Sequence, residues 1–210
     1  GRLVRRLIDV PAAADKGTLR PTSDKVRQAL FASLQSRFEF DGRAVADVFC
    51  GSGALGFEAL SRGAASVVFV DTSKRTPATV DDNAAALGVA DDVVTVADDA
   101  VGYLAAVRDK FDLILLDPPY ARAFDEALGR AVVGACREGC VVVVERSGRS
   151  PDLRIDGLSL VDERRYGDTR VDVYVRDAGA PVTTTRPATT GPAPTRERPE
   201  RAAIYPGSFD

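Results

Sequence analysis

The sequence predicts an α/β protein of the Rossmann-like type: an open, mostly parallel sheet with helices on both faces and an antiparallel carboxy-terminal hairpin. Two observations lead to this fold class. From Ala44 onward, short and nearly continuous apolar runs alternate with helical segments, a pattern typical of a parallel sheet covered on both faces. The last two apolar runs are separated only by a tight turn, so these two strands should pair antiparallel at one edge of the sheet.

The segment before this alternation predicts one strand or hairpin and one helix. Four apolar residues within 3–10 indicate the strand or hairpin. The helix should start at Ser23, because serine is a favoured N-cap residue. Its apolar positions recur every four residues from Val26 to Phe38, which predicts one buried stripe along the helix.

The alternation itself predicts five strands and four helices, followed by the hairpin. Strands are expected over 44–49, 66–71, 93–97, 111–117 and 140–145, and helices over about 54–62, 74–87, 100–108 and 122–136. Gly63 and Gly88 should end the first two helices, and Pro77 is tolerated in a first helical turn. The hairpin strands are predicted over 158–163 and 169–176, with a turn at YGDT.

The composition excludes several kinds of catalysis. The chain has 210 residues, a net charge of −3, 45% hydrophobic residues and no histidine. Without histidine, Ser-His-Asp catalysis, Cys-His catalysis and histidine-ligated metal sites are excluded. The three cysteines, Cys50, Cys136 and Cys140, cannot fill a four-cysteine zinc site, so we expect no metal. We interpret them as buried apolar residues of a reducing cytoplasm, and we find neither a membrane-spanning run nor a signal peptide.

A glycine-rich loop follows the first strand of the alternation. In Gly51-Ser52-Gly53-Ala54-Leu55-Gly56, the first glycine permits a tight turn, the second lets a ligand approach the backbone, and the third lets the helix pack on the sheet. Asp71 ends the next strand, at the position of a ribose-binding acid. NAD and S-adenosylmethionine both contain that ribose. Asp47 favours S-adenosylmethionine, because a carboxylate suits its ammonium and sulfonium groups and would repel a pyrophosphate.

A second motif, Asp117-Pro118-Pro119-Tyr120, closes the fourth strand of the alternation at the same sheet edge. The two prolines fix the backbone and remove two N–H donors. The Asp117 carboxylate and the Pro118 carbonyl can accept the two N–H bonds of an exocyclic amine, and Tyr120 can stack on a planar base. Holding both N–H bonds localises the nitrogen lone pair toward the methyl donor, so no histidine base is needed.

These motifs give the chain a resemblance to the bacterial RsmD-like family of 16S ribosomal RNA guanine-N2 methyltransferases, which have the class I S-adenosylmethionine-dependent fold. The resemblance covers residues 1–176. It rests on LRPTSDKVRQALF (19–31), DVFCGSGALGFEALSRGAASVVFVD (47–71), Asn83 with Leu87-Gly88, LDPPY (116–120), VVVER (142–146) and YGDTRVDVY (166–174). It implies methylation of guanine 966 at N2 in 16S ribosomal RNA of the small ribosomal subunit. The activity would then be that of a 16S rRNA guanine-N2 methyltransferase with S-adenosylmethionine as cofactor.

The resemblance also implies roles for individual residues. Arg20, Pro21 and Thr22 would line the mouth of the cofactor and substrate site; Asp47, Gly51, Ser52 and Gly53 would hold the methionine part of the cofactor; Asp71 would hold its ribose, and Asp99 with Ala100 the adenine edge. Residues 117–120 would hold the guanine. Three departures stand out: the family's first short strand is missing, Cys50 replaces a smaller residue, and ADDA (97–100) replaces GDA. Either Asp98 or Asp99 could therefore be the adenine partner.

Three regions are expected along the chain. Residues 1–40 form a basic, substrate-facing hairpin and helix, since residues 1–37 hold eight basic residues against three acidic ones. A solvated charged face explains this charge equally well. Residues 41–177 form the S-adenosylmethionine-binding catalytic domain. Residues 178–210 hold six of the twelve prolines and are expected to be a disordered tail.

The last eight residues, AIYPGSFD, resemble the start of pantetheine-phosphate adenylyltransferase, which suggests a fusion with a longer protein. That enzyme needs a Gly-His motif, so the tail should be inactive here.

Other functions fit the same motifs less completely. A DNA or RNA adenine-N6 methyltransferase shares DPPY, but the DNA enzymes normally add a target-recognition domain. A protein-glutamine methyltransferase favours Asn at position 117. An NAD-dependent dehydrogenase has no use for DPPY, and a non-catalytic RNA-binding module would use the basic end alone. We expect a monomer that acts on ribosomal RNA and has no membrane partner.

Overall fold

The computed structural model describes residues 24–119, 122 and 124–177 and shows a seven-stranded sheet. The strands are β1 (Ala44–Val48), β2 (Ser66–Asp71), β3 (Val93–Ala97), β4 (Phe111–Leu116), β5 (Cys136–Ser147), β6 (Leu158–Tyr166) and β7 (Thr169–Arg176). Their order is β3-β2-β1-β4-β5-β7-β6. The first five strands are parallel, and β7 pairs antiparallel with both β5 and β6. The predicted fold class is therefore confirmed.

Five α-helices and one short 3₁₀ turn connect the described strands. The helices are α1 (Asp24–Leu34), α2 (Ala54–Ser61), α3 (Thr76–Leu87), α4 (Ala100–Ala106) and α5 (Glu126–Ala135), and the 3₁₀ turn covers Ala90–Asp92. Among the described helices, none is long and apolar enough to cross a membrane.

Local sequence signals set several of the helix ends. Asp99 caps α4 by accepting the backbone N–H groups of Val101 and Gly102 at 3.0 and 3.1 Å. Asp125 caps α5 in the same way through Leu128 N–H at 2.8 Å. Gly88 ends α3 with a φ of +71°, the left-handed conformation that glycine adopts at little cost.

The sheet separates two hydrophobic cores, as expected for strands that are buried on both faces. Leu113 and Leu115 of β4 belong to the first core, together with side chains from α1, α2 and α3. Ile114 and Leu116 point to the second core, with side chains from α4 and α5. The alternation along one strand thus feeds both cores.

Several element boundaries differ from the expected ones by two to four residues, among them the end of β6 at Tyr166 rather than residue 163 and the starts of α5 and β5. Helix α5 begins at Glu126 rather than near residue 122, because the Asp125 side chain caps it there. Strand β5 begins at Cys136 rather than residue 140, because Cys136 already pairs with Phe111. An irregularity follows in the ladder, and Gly139 there has a φ of +72°. Such a bulge interrupts the apolar alternation from which the strand was predicted.

Several predictions lie outside the described residues: the strand or hairpin over 3–10, the helix start at Ser23, the site residues Arg20, Pro21, Thr22 and Tyr120, and the tail over 178–210. Cys136 and Cys140 are buried and Cys50 is half-buried, all three as free thiols. Burial raises the pKa of the Cys50 and Cys140 thiols well above the ordinary range.

Candidate active site

The predicted site residues that the structure describes lie at the carboxyl ends of four neighbouring parallel strands. The glycine-rich loop follows β1, Asp71 ends β2, Asp98 and Asp99 follow β3, and Asp117 follows β4. Since these strands are adjacent in the sheet, their carboxyl ends meet at one edge. Ligands of open α/β sheets bind outside this edge, where the order of the strands reverses. Here the reversal falls between β1 and β4.

The glycine-rich loop turns through backbone conformations that disfavour other residues. Gly51 has a φ of +52° and Gly53 a φ of +81°. A Cβ on Gly53 would also lie 2.8 Å from the Phe69 ring and 2.9 Å from the Phe57 ring. The structure therefore adds a packing reason for Gly53 to the ligand approach expected from the sequence. Gly56 meets its expected role, because its Cβ would lie 2.4 Å from Phe69.

Helix α3 holds the glycine-rich loop from the side. The buried Asn83 side chain donates from Nδ2 to the Ser52 carbonyl at 3.2 Å, across 31 residues of sequence. The sequence analysis named Asn83 only as part of a family motif, and the structure shows that it holds the loop.

Asp71 is positioned by the backbone on both sides of its carboxylate. Its Oδ2 accepts Gly51 N–H at 3.0 Å and its Oδ1 accepts Ser73 N–H at 2.9 Å. A carboxylate has about four lone-pair sites, so each oxygen retains acceptor capacity after these bonds. The side chain is thereby fixed beside the loop with two oxygens suited to a pair of ribose hydroxyl groups.

Asp47 lies deeper, with only 1% of its surface exposed. Its Oδ2 accepts Gly56 N–H at 2.8 Å, in the first turn of α2. Burial raises the pKa of the Asp47 carboxyl well above its usual range, the Gly56 hydrogen bond opposes this, and the negative charges of Asp117 and Asp71 raise the pKa further. Asp47 is thus close enough to Asp71 and Asp117 to be repelled by both, so a positively charged ligand group beside it would relieve the repulsion.

Asp98 and Asp99 hold different positions in the β3–α4 connection. Asp98 accepts the Asp99 N–H through Oδ1, and its own N–H donates to the Asp71 carbonyl. Asp99 uses Oδ2 to cap α4, which leaves Oδ1 on the side of Arg122, 3.5 Å away. Ala100 begins α4 and is buried. Both acidic side chains are exposed, so either remains a candidate for the adenine edge.

The segment after β4 is joined to the end of β1. Asp117 N–H donates to the Val48 carbonyl at 3.3 Å, and Asp117 is half-buried. Pro118 is buried and Pro119 is exposed. The Pro119 carbonyl accepts Arg122 N–H at 2.7 Å, which closes a four-residue turn. Asp117 and the glycine-rich loop thus come from adjacent strands.

Arg122 is a site residue that the sequence analysis missed. Its guanidinium carbon lies 5.2 Å from the centre of the Phe49 ring, besides the 3.5 Å contact of Nη1 with Asp99 Oδ1. Phe49 itself has a φ of +62°, a strained conformation for an aromatic residue. The sequence shows an arginine two residues after DPPY, but it does not predict which residues that arginine contacts. Within the described residues, no group of three or more potential ligands is arranged to hold a metal ion.

Comparisons with known proteins agree with this geometry. The family described as conserved hypothetical protein 95 matches residues 1–175. The Bacillus subtilis protein YlbH, provisionally named an rRNA methyltransferase, is 33% identical over 74% of this chain and 86% of its own length. Ribosomal RNA small subunit methyltransferase D of Escherichia coli K12 is 36% identical over 58% of each chain.

A solved structure agrees as well. The Escherichia coli protein yhhF, provisionally titled a methyltransferase, superposes with a TM-score of 0.69 at 30% identity, covering 82% of this chain and 93% of its own. The fold is that of S-adenosylmethionine-dependent methyltransferases. The chain therefore belongs to the conserved hypothetical protein 95 family, the RsmD-like methyltransferases.

Proposed function

We propose that this protein transfers a methyl group from S-adenosylmethionine to the exocyclic N2 of a guanine in 16S ribosomal RNA of the small ribosomal subunit, at a site of the guanine 966 type. The observation that carries the proposal is the placement of Asp117 and Pro118 beside the glycine-rich loop, on adjacent strands of one sheet edge. Relatives whose names specify ribosomal RNA methylation support the substrate class. We further propose that the protein acts as a monomer in the cytoplasm.

The residues of the sheet edge fit the cofactor by charge and by hydrogen bonding. Asp71, held by two backbone N–H groups, suits the ribose hydroxyls. Gly51, Ser52 and Gly53 offer backbone close to the methionine part, and Asp47 supplies negative charge below it. Asp99 and Ala100 would border the adenine. When bound, the cofactor supplies an electrophilic methyl group.

The chain's own residues would orient and activate the acceptor amine. The Asp117 carboxylate and the Pro118 carbonyl would each accept one N–H bond, since the Pro119 carbonyl is already engaged by Arg122 N–H. Accepting both bonds restores electron density to a nitrogen whose lone pair is otherwise delocalised into the base. Asp117 and Pro118 would hold this nitrogen toward the methyl group that the cofactor supplies, and the nitrogen would release its proton to solvent after the transfer. Positioning and electrostatics would provide most of the rate enhancement.

The proposal also gives roles to the remaining predicted site residues, which are Pro119, Tyr120, Arg20, Pro21 and Thr22. Tyr120 would stack on the guanine ring, where base–aromatic stacking contributes about 1–3 kcal/mol. The three amino-terminal residues would line the mouth of the site. A basic amino-terminal region next to this mouth would attract the phosphate backbone of the RNA.

The first test separates cofactor binding from methyl transfer. S-adenosylmethionine, and not NAD, should raise the melting temperature, because a ligand that binds only the folded state stabilises it. Tritiated methyl transfer to small subunits that lack the modification, followed by mapping of the base, should give guanine N2. Asp117→Ala should keep cofactor binding nearly intact and lose transfer by about 10²-fold or more.

The mapped base also decides between guanine-N2 and adenine-N6 methylation. Methylated adenine N6 in the mapped product would replace the guanine assignment with the adenine one. No melting shift at saturating S-adenosylmethionine, or normal turnover by Asp117→Ala, would contradict the proposed mechanism.

A further inference from the structure

Arg122 joins three parts of the proposed active site that come from different strands. It belongs to the segment that follows β4, its guanidinium lies over Phe49 at the end of β1, and its Nη1 approaches Asp99 after β3. The sheet order places β2 and β1 between β3 and β4. The side chain of Arg122 therefore reaches across the carboxyl edge of the sheet, from the proposed base-binding segment to the proposed adenine end of the cofactor site.

Its contacts use the planar shape of the guanidinium as well as its charge. The arginine side chain is 31% exposed, but its Nε atom is buried and has no hydrogen-bond partner among the described residues. The guanidinium carbon lies over the Phe49 ring, 5.2 Å from its centre. Arginine stacks on aromatic rings in this way, whereas lysine offers only a point charge.

The partners of Arg122 are themselves held firmly. Asp99 is fixed by the two backbone N–H groups that it caps at the start of α4. Phe49 is fixed by its N–H bond to the Val70 carbonyl at 2.8 Å, in spite of its left-handed φ. Arg122 is connected to the Asp117–Pro119 segment through its N–H bond to the Pro119 carbonyl, and Asp117 N–H bonds to Val48. Removing the arginine side chain should therefore release this segment and leave Asp99 in place.

We propose that Arg122 is a positioning residue, which fastens the Asp117–Pro119 segment to Phe49 and Asp99 and so sets where the acceptor amine is held relative to the cofactor. This inference rests on the proposed function. Arg122 acts through Asp117 and Pro118 and does not itself contact the reacting atoms. Its loss should reduce turnover much more than it reduces cofactor affinity.

The test compares Arg122→Ala and Arg122→Lys with Arg130→Ala as the matched control. Arg130 is an exposed arginine on α5 that pairs with Glu126 one turn away. Turnover on unmethylated small subunits is measured per cofactor-binding site, so that unfolded protein does not contribute. Arg122→Ala should lower kcat about 10- to 100-fold, the effect of a misplacement near 1 Å. Its Kd for S-adenosylmethionine should stay within about threefold of the wild-type value, a separation of kcat from binding.

Arg122→Lys should recover only part of the loss, because it restores the charge near Asp99 but not the stacking on Phe49. Arg130→Ala should behave as wild type. A kcat of Arg122→Ala within about twofold of wild type would overturn the inference. So would a Kd weakened about tenfold or more with an unchanged kcat at saturating cofactor, since Arg122 would then serve the cofactor site alone.

Amide hydrogen exchange provides a readout that needs no RNA. The amides of residues 117 and 122 should exchange faster in Arg122→Ala than in wild type, while those of α4 should not change. Unchanged exchange at both positions would refute the proposal that Arg122 fastens the Asp117–Pro119 segment. A wild-type protein that binds the cofactor but methylates no subunit would remove the proposed function instead, and the exchange result would still decide the role of Arg122.

Discussion

Two regions of the sheet bury acidic residues in opposite ways. In the hairpin region, Asp172 of β7 is fully buried between two arginines: Arg146 Nε lies 2.7 Å from Oδ2 and Arg170 Nε 2.7 Å from Oδ1. At the carboxyl edge of β1, Asp47 is as deeply buried, yet no lysine or arginine in the described part of the chain pairs with it. Within the described residues, Asp172 is paired with arginines and Asp47 is not.

The hairpin network extends well beyond this central pair. Arg170 also contacts Glu163 at 2.7 Å and Asp152 at 2.9 Å, and the Tyr174 hydroxyl donates to the Leu153 carbonyl at 3.0 Å. The acidic neighbours raise the pKa of Arg170 against the effect of its burial. A paired network of this kind joins β5, β6 and β7 and has little left to offer a ligand.

We propose that the contrast separates a buried charge that serves structure, Asp172, from one that serves binding, Asp47. Around Asp47 the neighbouring charges are those of Asp71 and Asp117, which share its sign. Holding these groups together lowers the stability of the free protein, and a bound cationic cofactor would offset the repulsion. Functional sites commonly carry such a penalty. Three substitutions test this comparison.

The largest effect should come from the paired region. Asp172→Asn leaves two buried arginines without their carboxylate, and breaking a buried ion pair from one side costs about 3–5 kcal/mol. Urea unfolding measures the loss. Arg165→Gln is the control, because Arg165 is 60% exposed in its pair with Glu163 and surface pairs contribute about 0–1 kcal/mol. Equal losses for the two variants would show that the buried network contributes no more to the free energy of unfolding than a surface ion pair does.

A smaller loss should follow Gly56→Ala on the site side. Its Cβ would lie 2.4 Å from Phe69 and 2.8 Å from Val67, and such overpacking costs about 1–3 kcal/mol. Because α2 must shift away from the sheet, cofactor affinity should fall as well. Gly102→Ala in α4 is the matched control, since its nearest neighbour is 3.9 Å away and alanine favours the helix by about 0.5–1 kcal/mol. A Gly56→Ala protein as stable as wild type would contradict the close packing.

The smallest effect, and the one of opposite sign, is expected for Asp47→Asn. The pKa of Asp47 is raised in the folded protein, so its contribution favours folding at low pH and turns unfavourable as pH rises through that pKa. The amide oxygen can still accept Gly56 N–H. At pH 8 the variant should therefore be more stable than wild type, by about 0.5–2 kcal/mol.

Two controls define this last result. The stability difference between Asp47→Asn and wild type should shrink as pH falls toward 5, measured as Tm against pH without cofactor. S-adenosylmethionine binding should weaken in the same variant, because the negative charge is lost. If Asp47→Asn destabilises the protein at pH 8 as Asp172→Asn does, the two regions do not differ in the way described.

The sequence by itself determined the order of the elements and the class of the site. The alternation from Ala44 predicted β1 to β4 within one residue at each end, because parallel strands buried on both faces have a continuous apolar signature. The glycine-rich loop and residues 117–119 lie at one edge, as predicted, because parallel strands share a direction. Periodicity failed at Cys136, where a bulge breaks the pattern.

Only the tertiary structure decided which distant side chains meet. Asn83 on Ser52, Arg122 on Phe49, and Arg146 with Asp172 depend on strand order and register, which local patterns do not encode. Asp47 and Asp172 are both aspartates, so the residue type alone does not distinguish their roles. Their environments differ because Asp172 lies between Arg146 of the neighbouring strand β5 and Arg170 of its own strand, while Asp47 faces a helix start and two more acids.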